Sequence, residues 1–439
     1  MGVDLTEGDI LKTVYRTSLP MVITLAMGSM LNLVDAFFVG KINSQALAAV
    51  GLGFQVVFFV MMLGSGVSAG VTSVVSRLIG AKEYGKAKIA SEHGILSAVV
   101  VSIILSVILL LTAPAILDFM GAKASLMDDS LAYLNVLLFF SAFQFMGLVL
   151  TGIVSAEGEM KVVMKAGVYS NILNVILDPL FIFTFGLGIR GAAIATVISQ
   201  LYSLLYLASY LFSGNSWVRP DFNCFTYDFR HIRDIYSLAL PMSLSNLSMS
   251  IAYVIQTSIV GLFGTGALAA STIGMRMYSL GSLPGAAIST AVVSIAGQCI
   301  GAGKYDRAKE TVVRGGFLAA TIMGGIGLIF YVFAADIVQF FTSSAPVIEY
   351  SISFLRITAP GQVALGFALC FGSVLVAAGK GKQLLMLKVL RTFLPLPICY
   401  WLSTIYGVPG IWAGITFNLV LYLIISMALF RYGGWDRGE

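Results

Sequence analysis

The sequence is poor in charged residues, histidine and cysteine. Only 11% of its 439 residues are charged, whereas a soluble chain carries about a quarter. Its two histidines and four cysteines show no metal-ligand or redox spacing, so we expect no metal centre, disulfide framework or cofactor. Lysine and arginine form short clusters between apolar runs, and this distribution gives no indication of nucleic-acid binding.

The sequence is correspondingly rich in long apolar runs, with 58% hydrophobic residues and a mean hydropathy of +0.93. A helix needs about 20 apolar residues to cross a bilayer. The runs therefore predict an all-α integral membrane protein with twelve transmembrane helices, of which 47–76 and 267–299 are expected to be tilted or bent. The predicted spans are 14–39, 47–76, 88–115, 128–152, 163–186, 190–213, 233–261, 267–299, 310–334, 348–374, 384–405 and 409–432.

The loop cations predict the orientation of these spans. With the N-terminus inside, the outer loops hold only Lys41, Lys123 and Arg190, and the other loop cations all fall on the inner side. Cytoplasmic loops carry the excess of lysine and arginine in membrane proteins. We therefore expect a multi-pass protein of the plasma (inner) membrane with both chain ends in the cytoplasm.

The second half of the chain repeats the first at an offset of 221 residues. IGAKEYGKAK (79–88) returns as IGAGKYDRAK (300–309). Near the end the register slips by two, so that GIRGAAIAT (188–196) corresponds to GVPGIWAGI (407–415). Each half holds an even number of spans and enters the membrane in the same sense. This predicts two six-helix bundles related by a pseudo-twofold axis along the membrane normal.

The repeat also predicts the domain organisation. We expect an N-terminal lobe over 1–213, a cytoplasmic linker over 214–232 and a C-terminal lobe over 233–439. Paired bundles of this kind suit alternating access, in which two lobes move around a central cavity. The organisation therefore favours a transporter.

Two acids, Asp35 and Asp178, lie clearly within predicted spans, and the repeat places Gln256 and Cys399 at the corresponding positions. The acidic feature thus belongs to the first lobe alone. At 1.5 Å per residue both acids lie in the outer half of the membrane, so they are expected to face each other. Inserting an ionised aspartate near the bilayer centre costs about 2.5–3.5 kcal/mol of free energy. Acids inside membrane spans are therefore first interpreted as functional residues.

The neighbours of Asp178 suit an ion site. Asn171, Asn174 and Asp178 share one helix face, and Pro179 leaves the carbonyl of Val175 without its helical partner. These oxygens suit Na⁺, and two carboxylates that share a proton suit H⁺. The alternative is that Asp178 caps a new helix that starts at Pro179, which would split the span.

Weaker candidates are polar and methionine side chains for a substrate cavity. Flexible apolar side chains with a few polar groups are typical of sites that accept varied ligands, and ordinary helix packing is the alternative for each residue. The candidates are Asn32, Gln55, Gln144, Asn171, Met27, Met61 and Gln256.

The sequence resembles the multidrug and toxic compound extrusion (MATE) family, and in particular its DinF-like branch. The resemblance rests on LVDAFFVGK (33–41), NVILDPLFIF (174–183) and the duplicated IGAxxYxxAK loops, and it extends over essentially the whole chain. It implies a V-shaped pair of six-helix bundles that exports organic cations or amphipathic compounds in exchange for inward H⁺ or Na⁺.

The same resemblance implies roles for single residues. Asp35, Asn174 and Asp178 match coupling-site positions, and Pro20 matches a proline at which the first span bends on protonation. Pro179 is a second candidate for bending. The branch also uses a threonine of the sixth span. Arg190 stands where that threonine is expected, with Thr196 as its substitute, and this departure favours H⁺ over Na⁺.

Two other functions remain open at this point. A lipid or lipid-linked precursor flippase of the same superfamily is expected to have a cationic cavity, and few lysines or arginines are expected to face a cavity here. An intramembrane aspartyl protease places its acids in Tyr-Asp and Gly-x-Gly-Asp contexts, which neither acid has. We therefore expect a transporter rather than an enzyme, acting as a monomer in the lipid bilayer on small amphipathic or cationic drug-like substrates.

Overall fold

The computed structural model describes residues 3–122, 125–222 and 227–436, so Lys123 and Cys224 lie outside the described ranges. The described chain is helical, and its secondary structure comprises α-helices with one π-helix. The helices are α1 Ile10–Gly40, α2 Ser44–Gly80, α3 Tyr84–Phe119, α4 Ser125–Phe139, α5 Ser141–Ala156, α6 Met160–Pro179, the π-helix Leu180–Thr184, α7 Gly188–Phe212, α8 Phe229–Gly261, α9 Thr265–Gly301, α10 Tyr305–Val332, α11 Ala334–Phe341, α12 Ala345–Ala377, α13 Gly381–Phe393, α14 Pro395–Tyr406 and α15 Val408–Tyr432.

The helices confirm an all-α protein with many membrane spans. Among the described residues, 11 segments are long and apolar enough to cross a membrane, and α4 with α5 forms one more if that pair, bent by 49°, is a single span. The long runs 47–76 and 267–299 each lie within one continuous helix of 37 residues. At 1.5 Å per residue these helices are about 55 Å long, which is longer than the hydrocarbon core is thick.

The chain divides into two compact units. Unit 1 comprises Met1–Asp4 and Ile23–Ser243, and unit 2 comprises Leu5–Val22 and Leu244–Glu439. The division falls inside α1 and inside α8, and the described part of the linker 214–232 belongs to unit 1. The lobe bounds 1–213 and 233–439, which were inferred from the repeat, stay a prediction.

Unit 2 is built around large side chains of α12 and α15. Phe354 and Trp412 are fully buried, and their ring centroids lie 4.8 Å apart in an edge-to-face arrangement. Arg356, one of the cations inside a span, lies over the ring of Tyr331 with its guanidinium carbon 5.9 Å from the ring centroid. This contact gives an intramembrane cation an aromatic partner.

Corresponding helix contacts recur in the two units. In unit 1 the Ser170 hydroxyl of α6 donates to the Ser199 carbonyl of α7 at 2.6 Å. In unit 2 the Asn418 amide of α15 donates to the Arg391 carbonyl of α13 at 3.0 Å. Ser170 corresponds to Arg391 at the offset of 221, and Ser199 to Asn418 once the slip of two is included. The repeat in sequence is thus also a repeat in packing.

Candidate functional site: an intramembrane carboxylate pair

The predicted coupling residues come together inside unit 1. Asp35 lies on α1, Asn174 and Asp178 lie one turn apart on α6, and Thr196 lies on α7. Asn174 and Asp178 are each only 1% exposed, and Asp35 is half-buried. Two helices distant in sequence, α1 and α6, therefore bring two carboxyl groups and an amide into one apolar setting.

The amide of Asn174 links its own helix, α6, to both α1 and α7. In the orientation that satisfies both partners, its nitrogen donates to Asp35 Oδ1 at 2.9 Å, and its oxygen accepts from the Thr196 backbone N–H at 3.2 Å. The Thr196 hydroxyl donates within α7, to the Ala192 carbonyl at 3.0 Å. Thr196 therefore contributes its backbone N–H to the site, and its side chain makes a hydrogen bond within α7.

The carboxyl groups of Asp35 and Asp178 lie within hydrogen-bonding reach of each other. Both oxygens of Asp178 are buried, and within the described chain no donor reaches them when both acids are ionised. A carboxylate only accepts hydrogen bonds, so two carboxyl groups can bond to each other only if one keeps a proton. The geometry therefore suits a pair that holds one shared proton.

Pro179 changes the helix directly after Asp178 without ending the span. Asp178 lies inside α6, and beyond Pro179 the chain continues as the π-helix, with the Phe185 N–H bonded to the Leu180 carbonyl at 2.9 Å. Residues 160–184 thus form one span, and the alternative of a helix cap at Asp178 is wrong. π-helical turns are rare and are frequently found at functional sites.

Gly191 allows α7 to pack against the π-helix. A Cβ at this position would lie 2.7 Å from the carbonyl carbon and oxygen of Phe181 and 2.9 Å from the Ile182 nitrogen. Because these atoms are backbone, they cannot rotate away as a side chain would. The close approach positions the first turns of α7, and with them the Thr196 N–H that binds Asn174.

Tyr133 of α4 is a neighbour of the pair that the sequence did not predict. It is 7% exposed, and the charges of both Asp35 and Asp178 act on its phenol. Gly53 of α2 makes room for it, since a Cβ there would lie 2.7 Å from the Tyr133 ring. A glycine opposite a tyrosine inside two apolar runs carries no pattern that periodicity detects.

The other predicted residues are spread more widely. Asn32 is exposed and donates to the Gly28 carbonyl of its own helix at 3.0 Å. Pro20 lies inside α1, close to the point where the chain passes from unit 2 to unit 1. Gln55 is exposed, Met27, Met61, Gln144 and Asn171 are half-buried in unit 1, and Gln256 is half-buried in unit 2.

A family model identifies the chain twice. The MatE model matches residues 20–180 and again 241–401, which together are more than half of the protein. The chain belongs to the MatE family. Both bounds of the second match lie 221 residues after those of the first, so the repeat that the sequence predicted coincides with two copies of the MatE domain. The prediction that the chain belongs to the MATE family is thereby confirmed.

Named relatives and solved structures agree with this assignment. The multidrug export protein MepA of Staphylococcus aureus is 25% identical over 413 residues, 92% of this chain and 90% of MepA. An outward-facing multidrug resistance MATE transporter superposes with a TM-score of 0.93 at 29% identity, covering 98% of this chain and 97% of that one. A MOP superfamily transporter of Pyrococcus furiosus superposes with a TM-score of 0.93 at 28% identity, covering 99% of each chain. Its binding pocket is described as reversed in polarity, suggesting a different function.

The backbone role of Thr196 in this MatE protein gives a first prediction. Thr196→Ala removes the hydroxyl but keeps the N–H that binds Asn174, so gradient-driven efflux is expected to stay within about twofold of wild type. Efflux of a fluorescent substrate from proteoliposomes measures this. A loss of more than tenfold, in a variant that folds like wild type, would show that the hydroxyl itself takes part.

A further buried carboxylate lies outside the membrane spans, between α5 and α6. Glu157 is 0% exposed and accepts hydrogen bonds from the Tyr210 hydroxyl at 3.0 Å, the Ser216 hydroxyl at 2.6 Å and the Val218 N–H at 2.9 Å. Burial raises the pKa of Glu157 above its ordinary value, and the hydrogen bonds act in the opposite direction. Through these contacts Glu157 holds the linker against the end of α5.

The raised pKa of Glu157 predicts a stability that depends on pH. Because the folded state binds this proton more tightly than the unfolded chain, the stabilisation is fully present below the unfolded pKa of about 4.5 and is lost as pH rises through the raised pKa. The melting temperature of wild type relative to Glu157→Gln is therefore expected to fall from about pH 4 to about pH 8. Glu83→Gln, an exposed control, should show a much smaller trend; equal trends would contradict the assignment.

Proposed function

We propose that this MatE protein is a secondary active exporter that exchanges amphipathic or cationic drug-like compounds for inward H⁺. The observation that supports this most strongly is the Asp35–Asn174–Asp178 cluster, in which two carboxyl groups meet inside an apolar unit. The protein works in the plasma membrane with both chain ends in the cytoplasm, as the distribution of loop cations suggests.

The cluster supports protons over Na⁺ as the coupling ion. A Na⁺ here would require Asn174 to turn its amide oxygen towards Asp35, and the amide would then give up its hydrogen bonds to Asp35 and to the Thr196 N–H. A shared proton instead satisfies both carboxyl groups directly. Removal of that proton leaves two like charges in a medium that screens them poorly, and this repulsion acts between α1 and α6.

This repulsion would couple proton binding to conformation. The proton gradient contributes about 1.4 kcal/mol for each pH unit across the membrane. The ring centroids of Phe38 on α1 and Phe183 on the π-helix lie 6.5 Å apart. A displacement of α1 would therefore also shift the π-helix. Pro20, inside the same helix, offers a place for α1 to bend.

The substrate class is carried over from the relatives. MepA is named as a multidrug exporter, and an acidic pair in the first unit suits positively charged compounds. A flippase for lipids or lipid-linked precursors, the alternative that the sequence left open, is the second candidate. The transporter of Pyrococcus furiosus is equally similar in structure, and a different function is suggested for it without a named substrate.

Purified protein in proteoliposomes separates these functions. Efflux of ethidium is expected to accelerate when a pH gradient alone is imposed, and a Na⁺ gradient alone should have no effect. A fluorescently labelled phospholipid in the same vesicles should not be translocated faster than in empty vesicles. Lipid translocation without ethidium efflux would overturn the proposal in favour of the flippase, and acceleration by Na⁺ alone would overturn proton coupling.

A further inference from the structure

We propose that unit 1 carries a binding site for the anionic headgroup of a phospholipid, in a cavity between the start of α3 and the linker that follows α7. The cavity has a volume of about 840 Å³. Its lining includes Tyr84 and Lys88 of α3, Phe212 at the end of α7, and Trp217, Arg219 and Phe222 of the linker. The site is separate from the carboxylate pair, and its existence does not depend on the proposed export function.

Aromatic side chains form one wall of the cavity. The rings of Tyr84 and Trp217 lie 5.8 Å apart between centroids, and Phe212 and Phe222 are about half exposed. Tryptophan and tyrosine are enriched where a membrane span meets the polar headgroups, since their rings are apolar and their tips are polar. This wall is therefore suited to the boundary between headgroups and acyl chains.

The charged groups of the cavity favour an anion. Lys88 and Arg219 both line it, and Asp221, the one carboxylate among the described lining residues, lies 3.5 Å from the Lys88 ammonium. Arg219 is exposed and adds a second cation. The cavity also lies at the N-terminus of α3, a helix of 36 residues, where no other described part of the chain packs within 4 Å of the Cβ position of Gly85. A phosphate group fits this combination.

Two buried glutamates hold the linker in the shape that forms the cavity. Glu92 accepts from the Asp221 N–H at 2.7 Å, and Glu157 accepts from the Val218 N–H at 2.9 Å, and both are 0% exposed. A buried carboxylate is costly unless it is bonded, and a linker that only joined two halves would not require two of them. Trp217 and Arg219 are thus held in position before any ligand binds.

A lipid, rather than a soluble anion, is indicated by the surface that continues from the cavity. Among the candidate spans of the described chain, α3 contains the most apolar stretch of 18 residues. Beyond the cavity it exposes apolar side chains, among them Leu96, Val100 and Ile103. Acyl chains can pack along this surface while the phosphate stays between Lys88 and Arg219. The loop cations place the site in the cytoplasmic leaflet, where anionic lipids are abundant.

Lipid titration of the purified full-length protein, followed by native mass spectrometry, tests the proposal. Wild type is expected to bind phosphatidylglycerol more tightly than phosphatidylcholine. Arg219→Gln and Lys88→Gln should each lower the affinity for the first bound phosphatidylglycerol molecule by about fivefold, and Arg219→Lys should restore part of this affinity. Arg230→Gln is the matched control, because Arg230 is an exposed cation at the start of α8 that does not line the cavity.

Three results would overturn the proposal. The first is equal weakening by Arg230→Gln, which would indicate general surface charge. The second is equal affinity of wild type for the two lipids. The third is displacement of phosphatidylglycerol by inorganic phosphate at matched concentration, which would indicate a site for a soluble anion. Trp217→Leu keeps every charge and is also expected to weaken binding, so the aromatic wall is tested without a change in electrostatics.

Discussion

Asp178→Asn is expected to slow pH-driven efflux by about 100-fold while the protein still folds. Asparagine has nearly the same shape as aspartate and donates permanently to Asp35, so it imitates the protonated state and cannot release a proton. Loss of one such buried interaction corresponds to about 2.8 kcal/mol, or two factors of ten. Efflux from proteoliposomes under an imposed pH gradient measures the effect.

The controls for this variant come from the same chain. Asp35→Asn should give a loss of similar size, because a shared proton requires both carboxyl groups. Asp118→Asn changes an exposed acid near the end of α3 and should leave efflux within about twofold of wild type. If Asp178→Asn kept more than a third of the wild-type rate, the carboxylate pair would not be the coupling site.

Gly191→Ala is expected to reduce coupled efflux by about tenfold. The new Cβ would lie 2.7 Å from backbone atoms of Phe181, so α7 must move away from the π-helix. The hydrogen bond from the Thr196 N–H to Asn174 is already 3.2 Å long, and even a small displacement breaks it. Asn174 then loses the contact that fixes its amide towards Asp35. The efflux rate is measured in the same vesicles and normalised to the amount of folded protein.

Gly410→Ala provides a matched control in the other half of the repeat. A Cβ at Gly410 would collide with the backbone of Leu402 in unit 2, as one at Gly191 collides with Phe181 in unit 1. Both variants should melt at lower temperature than wild type, because both disturb a close contact between helices. Only Gly191→Ala should lose coupling. Equal loss in the two variants would mean that the effect is general loosening of helix packing.

The spans could be predicted from sequence because they depend only on local composition. The carboxylate pair could be predicted because an acid inside an apolar span has a high free-energy cost. A span needs about 20 apolar residues, whatever its tertiary partners. An acid inside such a run is expensive, so Asp35 and Asp178 could be identified without knowledge of their neighbours. The repeat then assigned both acids to the first half. These inferences required only the order of residues along the chain.

The remaining features of the site depend on contacts that have no signature in sequence. Thr196 binds Asn174 through its backbone N–H, which any residue except proline supplies. Tyr133 lies near the pair where its ring packs against Gly53, and the π-helix after Pro179 forms in place of a simple kink. Glu157 looks like an ordinary loop acid until the linker covers it.

The most direct test of the central claim counts protons at the carboxylate pair. Vesicles that contain a pH-sensitive dye and the purified protein are given a substrate gradient in the absence of Na⁺. Wild type is predicted to move protons against the substrate flow, whereas Asp35→Asn and Asp178→Asn should move substrate, if at all, without protons. Substrate-driven proton movement of wild-type size in either variant, or none in wild type, would contradict the account.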